Sequence, residues 1–127
     1  MEQILPQEFA NRVKRDGIVN AMADKNFADA VYAAANGRKR IIVAGVTNDV
    51  CTVYPTLSLL EQGYEVQVVA DAGGSPTKEG DELSLRRMEK AGATVVGTNQ
   101  LLAELAQDWT QGDCAKILPI VVEGLQS

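Results

Sequence analysis

The feature that most constrains this chain is the run Arg40-Ile41-Ile42-Val43-Ala44-Gly45-Val46-Thr47-Asn48-Asp49-Val50-Cys51, continued through Thr52-Val53-Tyr54-Pro55-Thr56-Leu57 to Glu61. It opens as a β-branched apolar run, breaks at Gly45 into a short polar turn, and resumes with apolar residues at helical spacing. That order reads strand, tight loop, helix. Cys51 falls where the helix begins. Backbone N–H groups there have no intrahelical partner and the helix dipole is positive, so the position favours a thiolate over a thiol.

The flanking sequence repeats the alternation. Residues 1–12 hold Ile4, Leu5 and Phe9 among polar neighbours, with Pro6 suited to a first helical turn. Asp24 caps a helix whose apolar face is Phe27, Ala30, Val31 and Ala34 and which stops at Asn36-Gly37. After the strand at 40–45, a helix spans about 51–62, tolerating Pro55 in its first turn and ending at Gly63. Residues 64–70 form a second Val-rich strand, 71–77 a loop, 79–90 a helix and 93–96 a third strand. Thr98 caps a last amphipathic helix bearing Leu101, Leu102, Leu105 and Trp109, and 113–127 is an apolar tail with no assigned element. Strands that are apolar on both faces and separated by helices predict a parallel sheet covered on both sides, with ligands beyond the strands' carboxyl ends. Three loops lie there: 45–50, which leads to Cys51, 71–77 and 97–99.

At 127 residues the chain is one domain, 1–127. Lys and Arg number 12 against 17 Asp and Glu, a net charge of −5. The only basic cluster, Arg38-Lys39-Arg40, is a solvated strand edge, so a nucleic-acid partner is disfavoured. No apolar run is long enough to cross a bilayer and no secretory signal opens the chain, so the expectation is a cytoplasmic protein without a membrane partner. Cys51 and Cys114 have neither disulfide-type nor metal-type spacing, and a reducing compartment is the simpler setting. The absence of histidine removes Ser-His and Cys-His mechanisms and the usual zinc sites, so no metal or other cofactor is expected. No G-x-G-x-x-G follows a strand, which argues against a dinucleotide-binding domain. A lone cysteine is more often an inert small residue than a nucleophile. The loop before Cys51 supplies what acyl transfer needs, however: backbone N–H groups at Thr47 and Cys51 that can converge on an oxyanion.

The runs 42–51, Pro55-Thr56-Leu57, Glu61-Gln62-Gly63-Tyr64-Glu65-Val66, Val69-Ala70-Asp71-Ala72-Gly73-Gly74 and Arg87-Met88-Glu89-Lys90-Ala91-Gly92-Ala93 together resemble the isochorismatase-like cysteine hydrolases, nearest the YcaC-like subgroup. The resemblance covers about residues 5–109. It implies a doubly wound three-layer α/β/α fold and hydrolysis of a small amide or related C–N bond by an Asp-Lys-Cys triad through a thioester. Residue by residue, it implies Cys51 as nucleophile and a non-proline cis peptide between Val46 and Thr47 that aims the Thr47 N–H into the oxyanion hole. The triad lysine precedes a motif whose counterpart here is Lys14-Arg15-Asp16-Gly17-Ile18-Val19-Asn20-Ala21-Met22. By spacing Arg15 takes the lysine's place, with Lys14 its neighbour, and either cation would support a thiolate. The bland alternative is that both are solvated charges. Candidate pocket residues are Asn20, Asn48, Tyr54 and Asp71.

The chain departs from the family pattern in one respect. The triad aspartate ends a strand upstream of the matched region, and no aspartate in the first forty residues follows an apolar strand: Asp16 and Asp24 stand in turn and cap contexts. Asp49 reads as a helix N-terminal carboxylate and Asp71 as a binding-loop or turn residue. The expectation is therefore a domain lacking its N-terminal strands, in which the strand bearing Cys51 has an unpaired edge. Such a chain reads as a fragment, a truncated gene product or a protein completed by a partner chain, and a homo-oligomer acting on a small-molecule substrate is expected. The competing expectation is a catalytically inactive domain that keeps the fold for self-association, its 113–125 tail packing on a neighbour.

Overall fold

In the computed structural model, which describes residues 2–124, the three apolar runs pair as short parallel strands in the order β1 (Arg40–Val43), β2 (Glu65–Val69), β3 (Thr94–Val96). Arg40 stands opposite Glu65, and Gln67 opposite both Ile42 and Thr94. Helix α3 (Val53–Glu61) connects β1 to β2, and α4 (Lys78–Lys90) connects β2 to β3. Before them come α1 (Pro6–Ala10) and α2 (Lys25–Ala35); after them come α5 (Thr98–Ala106) and α6 (Ile117–Gly124).

The local signals behave as their chemistry dictates. Pro6 opens α1, where a missing N–H costs nothing. The Asp24 carboxylate accepts the Phe27 N–H at 3.0 Å, and Asn36 ends α2 in the left-handed conformation. Thr77 caps α4 by accepting the Gly80 N–H at 3.0 Å. Gly63, at φ +83°, turns the chain from α3 into β2 as only glycine does cheaply.

The core lies on one face of the sheet. Val66 and Val68 of β2, with Ile41 and Val43 of β1, meet Ala28, Val53, Leu59 and Met88, and both Val68 and Met88 are fully buried. Truncating Met88 to Ala there would cost about 2–5 kcal/mol. The expectation of strands apolar on both faces is corrected. The alternate positions are Arg40, Ile42, Glu65, Gln67 and Thr94: Arg40 pairs with Glu65 at 3.0 Å, and Gln67 donates to Glu104 of α5 at 2.8 Å. Only near the carboxyl ends do Val69 and Val96 bury on the face away from α3 and α4. The second layer is correspondingly open. A groove of about 710 Å³ runs between the polar sheet face and Glu104, Leu105 and Gln107.

Three smaller corrections follow from packing. On α2, Ala34 is exposed and Ala28 is buried in its stead. Thr98 is the first residue of α5, not its cap: its N–H and hydroxyl both donate to Asp71 Oδ1, at 2.7 and 2.8 Å. Leu105 is 58 % exposed and Trp109 lies beyond the helix, while Ala106 is the residue buried. The tail, unassigned from sequence, contains α6.

Candidate active site

The three loops expected at the carboxyl ends of the strands do meet. Beyond β1 the chain passes Gly45, where a Cβ would come within 2.9 Å of Thr52 Oγ1. The Val46–Thr47 peptide bond is cis, as the family resemblance implies. Val46 then pairs in parallel with Gly74, and the Asn48 N–H donates to the Gly74 carbonyl at 2.9 Å. Residues 48–52 form a single wide π-type turn before α3, with the Thr52 N–H on the Thr47 carbonyl at 3.0 Å and the Val53 N–H on that of Asn48. Such turns recur at functional sites because they break the regular ladder and redirect one side chain. The helix expected from 51 thus begins three residues earlier and in a wider form.

Side chains lock the same loops. Asn48 is completely buried, and its Nδ2 donates to Asp81 Oδ1 at 2.9 Å. Ser75 Oγ donates to the same oxygen at 2.9 Å and accepts the Asp49 N–H at 3.1 Å. Gly73 is enclosed: a Cβ there would lie 2.4 Å from the Gly45 carbonyl oxygen and 2.5 Å from Asn48 Oδ1. Asp71 ties in the third loop through Thr98. Those bonds from Thr98, the hydroxyl foremost, hold the Asp71 carboxyl below the usual carboxylate range.

Cys51 emerges from this framework with its side chain exposed, and among the described residues nothing hydrogen-bonds its Sγ. Cys114, half-buried, stands between α5 and α6. The other candidate residues are placed as follows. Arg15 is exposed, donates to the Ile18 carbonyl at 2.7 Å and lies over the Phe27 ring at 5.9 Å. Lys14 is exposed and makes no ion pair or side-chain hydrogen bond among the described residues. Asn20 caps the short turn Ala21–Ala23 with its oxygen and donates to Ser58 Oγ of α3 at 2.9 Å. Tyr54 sits under the Arg87 guanidinium, 5.5 Å from the ring centre. Asp49 lies in the first turn, its carboxylate directed at Gly80 of α4.

Four oxygens along this helical stretch, Asn48 Oδ1, Asp49 Oδ1, Thr52 Oγ1 and Thr56 Oγ1, are buried without a partner among the described residues. Asn48, Thr52 and Thr56 recur every four residues, so they share one helix face. A smaller hollow of about 250 Å³ lies between Asp49, Val53 and the Gly80, Leu83, Ser84 and Arg87 side of α4. Neither this hollow nor the larger groove takes in Cys51. Among the described residues no cluster of three or more Cys, Asp or Glu could hold a metal ion, and no helix is long and apolar enough to cross a membrane.

Asp81 and Ser75 are functional candidates that sequence reasoning missed. A carboxylate in the first turn of a helix ordinarily reads as a partner for the dipole, and nothing in its spacing points back to Asn48. Ser75 lies in a Gly-Gly-Ser-Pro turn, where serine is expected for local reasons alone.

Comparison with known proteins gives a consistent result. A family model described as the isochorismatase domain matches residues 4–100. The probable hydrolase YcaC of Escherichia coli is 36 % identical over 97 residues, which are 76 % of this chain and 46 % of that protein. The solved structure of YcaC from Pseudomonas aeruginosa, with hexane-2,5-diol and covalent acrylamide, superposes with a TM-score of 0.82 at 34 % identity, covering 98 % of this chain and 63 % of that one. The E. coli YcaC structure, described as an octameric hydrolase of unknown specificity, also gives 0.82, at 30 % identity, covering 98 % and 62 %. The chain spans about half the length of the curated relatives it matches.

Proposed function

This chain belongs to the isochorismatase family, and from that premise we propose that it carries the nucleophile half of a cysteine hydrolase acting on a small amide or related C–N substrate. The observation that carries this is the placement of Cys51: exposed, on a helical turn at the carboxyl end of β1, inside a loop cluster fixed by hydrogen bonds. The thiolate attacks the amide carbonyl carbon, and the N–H groups of Thr47 and Cys51 receive the oxyanion that forms. The C–N bond then breaks, the amine leaves with a proton drawn from solvent, and a thioester remains on Cys51. Water cleaves that thioester, releasing the acid and restoring the thiol. Arg15 is committed to the Ile18 carbonyl and the Phe27 ring, so Lys14, which has no partner among the described residues, is the better candidate to support the thiolate. Asn20, Asn48, Tyr54 and Asp71 remain proposed pocket residues; for all four, the contacts above give a structural task as well.

Acrylamide is the first probe, since the P. aeruginosa relative is described with covalent acrylamide. The expected result is one adduct on Cys51, formed much faster than on Cys114, and turnover of a small-amide panel that is lost in Cys51→Ser. Equal labelling of both cysteines together with unchanged turnover in Cys51→Ser sinks the proposal.

A second reading is supported by α6, whose Leu118, Ile120 and Val122 are 40 %, 61 % and 44 % exposed. We propose that this apolar helix contributes to self-association, in keeping with the octamer described for E. coli YcaC. Light scattering of Ile120→Asp should show a smaller species than the unsubstituted chain; an unchanged mass removes α6 from the contact.

A further inference from the structure

We infer that Asp81, on the first turn of α4, is a positioning residue for the nucleophile turn: it fixes Asn48, and through Asn48 and Ser75 the course of residues 47–52 that presents Cys51. This rests on the assignment of Cys51 as nucleophile.

The inference follows from what a carboxylate can and cannot do. An ionised carboxylate only accepts hydrogen bonds. Its Oδ1 takes one from Asn48 Nδ2 at 2.9 Å and one from Ser75 Oγ at 2.9 Å. The Asn48 amide therefore has one orientation, with nitrogen toward α4 and oxygen toward Gly73. A reversed amide would set oxygen against carboxylate, two acceptors with no proton between them. The orientation matters because Asn48 is wholly buried and its oxygen already presses on the Gly73 backbone position, where a Cβ would stand 2.5 Å away.

The second arm works through the backbone. With its proton given to Asp81, Ser75 Oγ presents a lone pair to the Asp49 N–H at 3.1 Å. One carboxylate oxygen thus grips residues 48 and 49 from two directions, and both directly follow the Val46–Thr47 peptide. Backbone bonds alone do not achieve this. The Asn48 N–H to Gly74 carbonyl bond at 2.9 Å fixes the start of the turn, and the Thr52 N–H to Thr47 carbonyl bond closes it. The rotation of the turn against α4 is left to the side chains. Asp81 itself is anchored, its N–H donating to the Thr77 carbonyl at 3.1 Å and its carbonyl accepting from Ser84 Oγ at 2.8 Å.

The test is iodoacetamide labelling of the full chain, with the rate at Cys51 expressed relative to Cys114 by peptide mass spectrometry. Asp81→Ala should lower the Cys51 to Cys114 ratio by about fivefold or more, since misplacing a reacting group by a fraction of an ångström has effects of this order. Asp81→Asn keeps an acceptor oxygen for both donors and should stay within about twofold of the unsubstituted ratio. A purely structural role lowers the thermal midpoint without separating Ala from Asn in this ratio. Should Asp81→Ala not fold, Ser75→Ala removes one arm only and should lower the ratio by about twofold, on the same ground. An unchanged ratio in Asp81→Ala, or in Ser75→Ala where that variant stands in, overturns the inference, as does an equal fall in Asp81→Ala and Asp81→Asn. The ratio in the unsubstituted chain tests the nucleophile assignment by itself, and its change on substitution tests positioning, so the two fail separately.

Discussion

Residues 45–52 and residues 11–20 both carry groups proposed for the chemistry, and they are held in opposite ways. The first stretch is fixed by long-range contacts: Val46 pairs with Gly74, Asn48 bonds Asp81, the Asp49 N–H bonds Ser75, and Asn48 and Thr52 are buried to 0 % and 1 % exposure. The second is exposed from Asn11 to Val19 and its bonds are local, Ile18 N–H to the Asp16 carbonyl and Arg15 to the Ile18 carbonyl. Two contacts tie it to the body of the fold among the described residues: Arg15 over the Phe27 ring at 5.9 Å, and Asn20, at its end, on Ser58. A nucleophile needs its backbone donors placed to a fraction of an ångström, which a tight β-α connection provides. A supporting cation acts through space over several ångströms on a long, flexible stem, and an exposed arm can deliver it.

The sharpest way to break this contrast is at Gly73. A β-carbon there has no room, at 2.4 Å from the Gly45 carbonyl oxygen, so Gly73→Val should destabilise by about 3 kcal/mol or more, read as the urea midpoint. The matched control is Gly17→Val in the exposed stretch, where nothing among the described residues lies within 4 Å and a change within about 0.5 kcal/mol is expected. Equal effects at the two glycines would mean that the two stretches are not held differently.

How far this was legible in advance divides along the same line. Strand, loop and helix around Cys51 could be read because β-branched runs, Gly45 and helical spacing are local signals. The three loops could be assigned to one end of the sheet because parallel topology demands it. The polar sheet face could have been read from the alternation Glu65, Val66, Gln67, Val68; it was overridden by the expectation that a parallel sheet is apolar on both sides. The Asn48–Asp81–Ser75 network was not legible, since it joins residues 33 and 6 positions apart by contacts that no periodicity encodes. Nor was the capping of α5 by Asp71, which accepts from Thr98 across 27 residues.

Next in size is the cation. Lys14→Ala should slow labelling of Cys51 by acrylamide at neutral pH by about tenfold, a loss of about 1.4 kcal/mol, while Arg15→Ala changes it less than about twofold. Identical rates in the parent and both variants would leave residues 11–20 without a part in the site. The larger effect in Arg15→Ala would return the cation role to the position that family spacing indicates.

A smaller effect, of opposite sign, is expected on α3, directly after the rigid stretch. Thr56 is completely buried and its hydroxyl has no partner among the described residues. Thr56→Val removes an unpaired polar group while keeping the branched shape, and should stabilise by about 1 kcal/mol by thermal denaturation. A loss of stability would show that a water or another group meets that hydroxyl in solution, and would turn the Asn48, Thr52 and Thr56 stripe from a cost into a hydrated seam.

The smallest effect concerns the third loop. Asp71 is bonded in its ionised form by the Thr98 hydroxyl and N–H, and its carboxyl is held below the ordinary value near 4. A group whose pKa falls on folding stabilises the fold above its unfolded pKa and loses that contribution as pH drops through the folded one. The chain should therefore give up part of its stability below about pH 4, and Asp71→Asn should lack that part. Because the carboxylate is exposed, the loss on substitution at neutral pH should sit at the low end for a helix cap, about 0.5 kcal/mol. An acid transition unchanged in Asp71→Asn would assign the acid sensitivity to other carboxylates. It would also leave the 97–99 loop held by its backbone alone, unlike the nucleophile turn, which side chains fix as well.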